Sequence, residues 1–320
     1  MYNFYITQDG EITRDGNTLY FVGKDFKRHL PVMNVNEIII SAKVSISSWA
    51  LDYLSKLGIM VHILNIYGNY MSSLIPGNRN EKGNIIIMQV RSYLNDDRLY
   101  IASQMVLGIK HNILRNLRYY NKNNALDDKI EKISGYYPDG NNINSILGTE
   151  GNIWSTYYSA FPYIYKKYHE FKREFHPPKD ELNAMISFGN SLLYSNVITS
   201  IFLNGLNPSI SYLHEPSERS FSLALDISDI FKPVIVERVI ANLVNNNIID
   251  SNHFTKENNG YYLNDNGRKI FINYYNQKMN STINIKGNYV SYSRVIDMEV
   301  QKLIRHLKMN EKYIPFKSGD

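Results

Sequence analysis

The chain has 320 residues, 43% hydrophobic and 20% charged, a composition typical of a globular protein with length for about two domains. It has no cysteine, which excludes disulfides, cysteine-based zinc fingers and thiol nucleophiles and is compatible with the reducing cytoplasm, where we expect the protein to act. The net charge of +5 and the pI of about 9.0 suit a nucleic-acid partner without requiring one.

No segment of the sequence predicts a membrane span or a secretory leader. The first residues, MYNFYITQDGEITRDG, carry acids and lack a long apolar run. The most apolar stretches, near residues 37–46 and 59–66, are too short or too polar to cross a bilayer. We therefore expect no membrane partner.

Residues 1–78 predict a β-rich, sandwich-like domain. Alternating apolar residues predict strands at 3–7, 11–13, 18–22, 28–31, 37–40 and 60–64, with turns at Asp9-Gly10 and Asp15-Gly16. One helix is predicted at 47–57, ended by Gly58. The segment IPGNRN, from Ile75, is rich in helix and strand breakers, so we expect a linker over residues 79–90.

Residues 91–320 predict a larger all-α domain, which makes the chain an α+β multidomain protein. Residues 86–120 predict one long helix or two in series, with Gly108 a weak point, and a further helix is predicted from Thr149 to residue 158. Asp180 is predicted to cap a helix over 181–203 that Gly205 ends. The remainder predicts helices, except for a hairpin within residues 248–263.

Basic residues and tyrosines alternate along the helical region. The 26 tyrosines and the clustered Lys and Arg side chains would provide base-stacking surfaces and phosphate contacts for a nucleic acid. A run of like charges equally describes a solvated helix face, and both interpretations stay open here. The clusters are Lys110, Arg115, Arg118 and Lys122; then Lys166, Lys167, Lys172 and Arg173; and, in the tail, Lys302, Arg305, Lys308, Lys312 and Lys317.

The stretch LHEPSERSFSLALDISDIFKPVIVER, from Leu213, combines a histidine with two aspartates. If SFSLALDISDIF is helical, Asp226 and Asp229 project from one face, because residues three apart are neighbours on a helix. Carboxylates on a largely apolar helix need a partner, and a divalent cation is one. Paired acids are more often solvated, however, and a single histidine such as His214 is more often hydrogen-bonded in its loop than a ligand.

Two neighbouring features are equally ambiguous. Glu150, in ILGTEGNIW, has an ordinary explanation as a first-turn acid behind the cap Thr149, where it would complement the helix dipole. Pro233 cannot donate to the Asp229 carbonyl four residues earlier, so the helix kinks or restarts there, or Pro233 opens a second helix. The residues by themselves therefore predict a basic, two-domain protein linked to nucleic acid, with a candidate acidic metal site.

Four motifs in order along the chain resemble the CRISPR-associated integrase family, the catalytic subunit of CRISPR spacer acquisition. They are IISAKVSISSWALDYLSKLGIMVHILNIYGNYMSSLIP, GTEGNIWSTYYSAF, PPKDELNAMISFGNSLLYSNV and LHEPSERSFSLALDISDIFKPVIVERV. The resemblance covers essentially the whole chain. Lys232 stands where the family commonly has Arg, and Glu237 where it commonly has Asp, which puts any specific phosphate contact of Lys232 in question.

The resemblance implies a site on the helical domain for Mg²⁺ or Mn²⁺. The implied metal ligands and catalytic residues are Glu150, His214 and Asp229, and the implied supporting residues are Asp226, Asn183 and Arg219. In the implied reaction, the 3′-hydroxyl of a short prespacer DNA attacks a phosphodiester of the CRISPR repeat. The reverse reaction would resolve branched DNA, and water as the nucleophile would make the protein an endonuclease.

The implied partners are double-stranded and branched DNA, a second copy of the chain in a homodimer, and the small second CRISPR-associated adaptation protein. Two other interpretations compete. A non-catalytic, winged-helix-like DNA-binding regulator would explain the helix over 234–247 and the hairpin that follows it. A structural scaffold would explain the tyrosines but not the acids. Convergence of Glu150, His214 and Asp229 separates these, since a regulator has no reason to bring them together.

Overall fold

The computed structural model describes residues 2–33, 35–77, 83–175, 177–216, 221–309 and 311–319. The N-terminal region is rich in strands and contains the predicted helix, α1 (Ser48–Lys56), which Ser47 caps and which is followed by Gly58 with φ of 70°. Its strands are β1 (Tyr2–Ile6), β2 (Gly10–Asp15), β3 (Thr18–Val22), β4 (Lys27–Leu30), β5 (Val35–Ile40), β6 (Val44–Ile46), β7 (Met60–Leu64) and β8 (Tyr70–Leu74).

These strands form two four-stranded sheets, with orders β1-β5-β7-β8 and β4-β3-β2-β6. The sheets share one apolar core, to which the first contributes Ile38 and Val61, the second Ile12 and Leu19, and α1 contributes Leu54. The predicted β-rich N-terminal region is therefore confirmed. The sequence pattern missed β6 and β8, because β6 has only three residues and β8, YMSSL, alternates weakly.

The rest of the chain is mainly helical. Its helices are α2 (Gly83–Tyr93), α3 (Asp97–Tyr120), α4 (Asp127–Gly135), α5 (Ile143–Tyr158), α6 (Phe161–Ile164), α7 (Glu181–Asn204), α8 (Ser222–Phe231), α9 (Val236–Asn245), α10 (Asp265–Asn280) and α11 (Tyr292–Met309). Two hairpins interrupt them, formed by β9 (Phe254–Glu257) with β10 (Gly260–Leu263) and by β11 (Thr282–Ile285) with β12 (Asn288–Ser291). The first hairpin was predicted, whereas the second was not.

Helix α7 is the central element of the helical region. Asp180 caps its first turn, as predicted, and Gly205 ends it with φ of 82°. The helix is long and apolar enough to cross a bilayer by those criteria alone, but 72% of its most apolar stretch is buried inside the fold. That burial is what a core helix requires, because α7 packs against α8, α9, α11 and strands of the N-terminal sheet.

The two regions meet without a gap between their cores. Ile39, Met60 and Leu64 of the first sheet pack in the same apolar cluster as the helices. Residues 83–90, placed in the predicted linker, form the first turns of α2, while residues 78–82 lie outside the described residues. The N-terminal sheet is thus seated directly on the helical core and contributes to the clefts around it.

Helix α5 corrects one expectation that matters for function. It begins at Ile143, where the Asn142 side chain accepts the Ser145 N–H, and not at Thr149. Glu150 therefore lies about two turns inside the helix, so the first-turn explanation for this acid is wrong. The prediction failed because GTEG resembles a helix start, whereas the true cap lies in the preceding turn-rich segment.

Candidate active site

Glu150 lies on α5 and is half-buried beside the charged residues of α8. Burial raises the pKa of the Glu150 carboxyl to about 7, and the negative charge of Asp229 adds to this effect. The positive charges of His214 and Lys232 oppose it. A carboxylate held at such a pKa close to a second carboxylate needs a nearby positive charge in order to stay ionised.

His214 lies in the loop that precedes α8, and Asp226 holds it there. The buried Asp226 carboxylate accepts the backbone N–H groups of Tyr212 at 2.8 Å, Leu213 at 3.0 Å and His214 at 3.1 Å. The same carboxylate lies 2.7 Å from His214 Nδ1. This contact places a proton on Nδ1 and leaves Nε2 as the nitrogen for a ligand or a proton.

The ionisation of His214 follows from its neighbours. Burial lowers the pKa of the imidazole, but the hydrogen bond and charge of Asp226, helped by the charges of Asp229 and Glu150, raise it to about 9 overall. The ring is therefore positively charged at neutral pH in the absence of a metal. A metal ligand must be the neutral imidazole, so metal binding here would release a proton.

Asp229 lies one turn after Asp226 on α8 and is 5% exposed. Its Oδ1 receives no hydrogen bond from the described residues, yet the Lys232 ammonium is in ion-pair contact with this oxygen. The ammonium also lies 5.6 Å from the centre of the Trp154 ring. A buried charge is costly to leave unpaired, and the Lys232 ammonium supplies the opposite charge at Asp229.

Pro233 explains why this ion pair stands at a helix end. Helix α8 stops at Phe231, and α9 begins at Val236. Of the alternatives left open by the sequence, the chain stops and restarts, and Pro233 is not the first residue of the second helix. Lys232 occupies the last position before the break, where its side chain turns back to Asp229.

The three residues expected to bind metal influence one another electrostatically. The charges of Asp229 and His214 shift the pKa of Glu150, and those of Asp229 and Glu150 shift the pKa of His214. Over the described residues, no three His, Asp or Glu side chains stand close enough to form a metal shell as they are. The structure therefore brings the predicted ligands into one neighbourhood without closing a coordination site.

The donor set nevertheless fits a hard divalent cation. Two carboxylates and one imidazole are ligands that Mg²⁺ and Mn²⁺ accept. The buried Asp229 oxygen has no hydrogen bond to lose and already contacts a cation, the Lys232 ammonium. For a metal to bind this oxygen, the Lys232 ammonium must move away from it. Glu150 must also be ionised in order to act as a ligand.

The predicted supporting residues have different surroundings. Asn183 is fully buried in the first turn of α7, where its Oδ1 accepts Arg173 Nη1 at 2.8 Å and Glu174 N–H at 3.0 Å. Its Nδ2 donates to the carbonyl of Lys172 at 2.9 Å. Asn183 therefore fixes the segment that carries Arg173 and does not touch the acidic cluster directly. Arg219 lies outside the described residues.

A cavity of about 470 Å³ adjoins the acidic cluster between the N-terminal sheet and helices α7 and α8. Two cations, Lys232 and Arg173, line it together with polar groups and tyrosine rings. The Asn190 Oδ1 on this cavity is buried and receives no hydrogen bond from the described residues. The space, with its positive charge and polar walls, suits a phosphate-bearing substrate. Further lining residues are Tyr70, Tyr158, Ser187 and Ser228.

Sequence reasoning did not single out Arg173, Tyr158 or Asn190 as site residues. Arg173 was noted only as a member of a basic cluster, and its Nη2 in fact donates to Ser187 at 3.1 Å inside the cavity wall. Another basic residue, Lys110, was placed in a surface run, whereas it is buried and donates to the carbonyls of Ser134 and Tyr136. Charge runs do not reveal which side chains turn inward, because neighbours distant in sequence decide it.

Residues 4–277 match the family model of CRISPR associated protein Cas1. The chain is 39% identical over 324 residues to the CRISPR-associated endonuclease Cas1 3 of Thermodesulfovibrio yellowstonii, covering 99% of each. It is 41% identical over 318 residues to the CRISPR-associated endonuclease Cas1 of Methanothermobacter thermautotrophicus, covering 98% of this chain and 94% of the relative.

Solved structures agree with these matches. A CAS1 protein from Thermotoga maritima superposes with a TM-score of 0.87 at 32% identity, covering 99% of this chain and all (100%) of that one. A casposase bound to its integration product shares the fold at 22% identity, with a TM-score of 0.86 over 100% of this chain and 94% of the casposase. A chain of a Cas6-RT-Cas1–Cas2 complex shares it at 18% identity, with a TM-score of 0.84 over 99% of this chain and 36% of its own length.

Proposed function

This chain belongs to the CRISPR associated protein Cas1 family, and on that premise we propose that it is a metal-dependent DNA endonuclease and integrase of CRISPR adaptation, acting in the cytoplasm. Its reaction is attack by the 3′-hydroxyl of a short prespacer DNA on a phosphodiester of the repeat. The reverse reaction acts on branched DNA, and water replaces the hydroxyl in hydrolysis. The relatives named endonucleases support the nuclease activity.

The observation that carries this proposal is the surroundings of Asp229. Its buried Oδ1 receives no hydrogen bond within the part of the chain that the structure describes, contacts the Lys232 ammonium and adjoins Glu150 and His214. We propose Glu150, His214 and Asp229 as the catalytic metal ligands for Mg²⁺ or Mn²⁺. When bound, such a cation polarises the scissile phosphate and stabilises the charge that develops on the leaving 3′ oxygen.

The chain's own groups complete the site. Asp226 holds the Nδ1 proton of His214, so that the ring presents Nε2 in a fixed orientation. Lys232, once released from Asp229, remains beside the cavity as a point charge for the substrate phosphate. Arg173, positioned by Asn183, adds a second positive charge to the cavity wall. A phosphodiester exchange needs no nucleotide triphosphate, and the sequence contains no GxxxxGK[ST] loop.

We propose as partners double-stranded and branched DNA, a second copy of this chain, and the small second adaptation protein. The casposase of the same fold is bound to an integration product, which supports DNA as the substrate. The chain of the same fold in a Cas6-RT-Cas1–Cas2 complex supports the second protein. The competing regulator hypothesis accounts for α9 and the β9–β10 hairpin, but it gives no reason for the electrostatically linked acids.

A strand-transfer assay tests the proposal. A short duplex with free 3′-hydroxyls should integrate into supercoiled DNA that carries repeats, with Mg²⁺ or Mn²⁺ present and not with EDTA. Asp229→Ala and His214→Ala should each lower the rate by more than about 10²-fold, because each removes a metal ligand. The matched control is Asp128→Asn, which should keep full activity, because the Asp128 carboxylate is exposed and pairs only with Lys129 among the described residues. Undiminished transfer in both alanine variants, with circular dichroism unchanged, would sink the assignment.

A further inference from the structure

Two positive side chains, Arg238 and Lys278, lie together outside the acidic site. Arg238 on α9 and Lys278 near the end of α10 are both half-buried. Within the part of the chain that the structure describes, neither forms an ion pair with a carboxylate. Burial, followed by the charge of Arg238, lowers the pKa of Lys278 to about 8. Two like charges held together in a partly buried position cost free energy.

Aromatic rings hold both cations in place. The Arg238 guanidinium carbon lies 3.9 Å from the centre of the Tyr119 ring and 5.0 Å from that of Tyr120. Lys278 Nζ lies 3.9 Å from the centre of the Tyr292 ring. The face of an aromatic ring attracts a cation but does not neutralise its charge. The two side chains are therefore positioned by the fold and remain positively charged.

Helix α3 extends the same surface. Arg115, Arg118 and Tyr119 are three and four residues apart, so they share one face of the helix, and all three are exposed. The charges of both Arg238 and Arg115 act on the phenol of Tyr292, which places Arg115 beside the first two cations. We call Arg115, Arg118, Arg238 and Lys278, with the 67% exposed Tyr119, the α3-end basic patch.

The acid nearest in sequence does not neutralise the α3-end basic patch. Glu237 precedes Arg238 but is 1% exposed, and its carboxylate accepts the Tyr165 hydroxyl at 2.7 Å. Burial raises the pKa of Glu237 to about 7, so this carboxyl is only partly ionised near neutral pH. Its carboxylate is turned into the core, whereas Arg238 is half-buried against the tyrosines of α3. Among the described residues, no carboxylate forms an ion pair with Arg238 or Lys278, so an external anion could fill that place.

We propose that the α3-end basic patch binds backbone phosphates of duplex DNA, at a place separate from the phosphate that reacts at the acidic site. An anion would remove the repulsion between Arg238 and Lys278, and the exposed Tyr119 ring offers a surface for a sugar. Arg and Lys donors of this kind fix the position of a duplex without reading its sequence. The inference rests on the proposed function only in taking DNA as the ligand.

The test measures binding of a short fluorescent duplex by anisotropy over a salt series, in EDTA so that no chemistry occurs. Arg238→Gln with Lys278→Gln should weaken binding about 5- to 20-fold near 0.1 M salt. The slope of log K against log salt should become shallower by about 1 to 2, one step for each lost phosphate contact.

The matched control removes two exposed lysines at the end of α11 and just after it, where His306 contacts Asp97 at the start of α3. Lys308→Gln with Lys312→Gln changes the net charge equally, and the adjoining Tyr313 carbonyl accepts the Tyr100 hydroxyl near the start of α3. With about 1.5 Å of rise per residue, Tyr100 lies about 30 Å from Tyr119 along the helix. Lys308→Gln with Lys312→Gln should change the slope of log K against log salt by less than half of the change in the Arg238 and Lys278 double variant. Equal effects in the two double variants would overturn the proposal.

The single variant Lys278→Gln separates a role of Lys278 in DNA binding from a role in the stability of the fold. Lys278→Gln alone should raise the melting temperature without DNA, because the repulsion with Arg238 disappears, and should still weaken binding. A lower melting temperature with unchanged binding would mean that Lys278 only supports the fold, and the proposal would then be wrong. This experiment measures DNA binding and not strand transfer, so its result can be interpreted even if the integrase proposal fails. A loss of binding in these variants does not test the role of Asp229.

Discussion

Two buried clusters in this protein pair a histidine with a carboxylate, and they differ in how fully their oxygens are hydrogen-bonded. At the junction of the first sheet with α7, Glu37 accepts the Asn196 amide on one oxygen and the Thr199 hydroxyl on the other. His62 Nε2 lies 3.1 Å from the second oxygen, and its Nδ1 lies 2.6 Å from Ser73 Oγ. Every polar atom of this Glu37–His62 cluster has a partner.

The acidic site contrasts with that arrangement. Asp226 is as well bonded as Glu37, but the buried Asp229 Oδ1 has only the Lys232 ion pair among the described residues, and Glu150 has a pKa raised to about 7. A larger cavity of about 590 Å³ opens beside Glu37, whose two carboxylate oxygens both accept hydrogen bonds. Carboxylates held close together in a partly buried position therefore distinguish the proposed site from the Glu37–His62 cluster, because stability alone gives no reason to keep them.

The largest expected effect on stability is at Glu37. Glu37→Gln turns an acceptor oxygen into a donor amide opposite Asn196, Thr199 or His62, so buried polar groups lose their partners. We expect urea unfolding to show a loss of about 3 kcal/mol. The exposed Glu11→Gln, in the same region, should change stability by less than about 0.5 kcal/mol. If Glu37→Gln also cost less than about 0.5 kcal/mol, the two clusters would not differ in how much their hydrogen bonds stabilise the fold.

Glu237 offers an intermediate case, since its buried carboxylate has one hydroxyl donor, Tyr165. Burial raises its pKa from 4.5 to about 7, so the unfolded chain loses its proton first as pH rises. Stability is therefore full below pH 4.5 and falls as pH rises towards 7, by about 3 kcal/mol at most. Urea midpoints at pH 5 and pH 8 should differ less in Glu237→Gln than in the unmodified protein. If both proteins showed the same pH dependence of stability, the Glu237 carboxyl would not contribute to it.

The smallest effect should have the opposite sign. In metal-free buffer at pH 8, Glu150→Gln removes a half-buried negative charge next to Asp229, and we expect stability to rise by about 1 to 2 kcal/mol. The exposed Glu131→Gln serves as the control. Strand transfer should be lost in Glu150→Gln and kept in the control. If Glu150→Gln destabilised the protein as Glu37→Gln does, the acidic site would be structural.

Local signals in the sequence predicted much of the fold. Asp180 and Gly205 marked the two ends of α7, because capping and positive φ depend on the residue itself. The β11–β12 hairpin was missed although Gly287 has φ of 87° at its turn, because INIKGNYV is short and half polar. Gly108 was treated as a weak point in a helix, yet α3 runs through it, and a Cβ there would lie 2.8 Å from Pro315.

The sequence by itself determined the strand-rich and helical regions, the family, and the common helix face of Asp226 and Asp229. Only the tertiary structure made these two aspartates different, because three loop N–H groups and His214 satisfy Asp226 while Asp229 meets Lys232 instead. Only packing likewise buried Lys110 and brought Arg238 and Lys278 together. The physical reason is the same in each case: the charge and hydrogen bonding of a side chain depend on neighbours that the folded chain brings from distant positions.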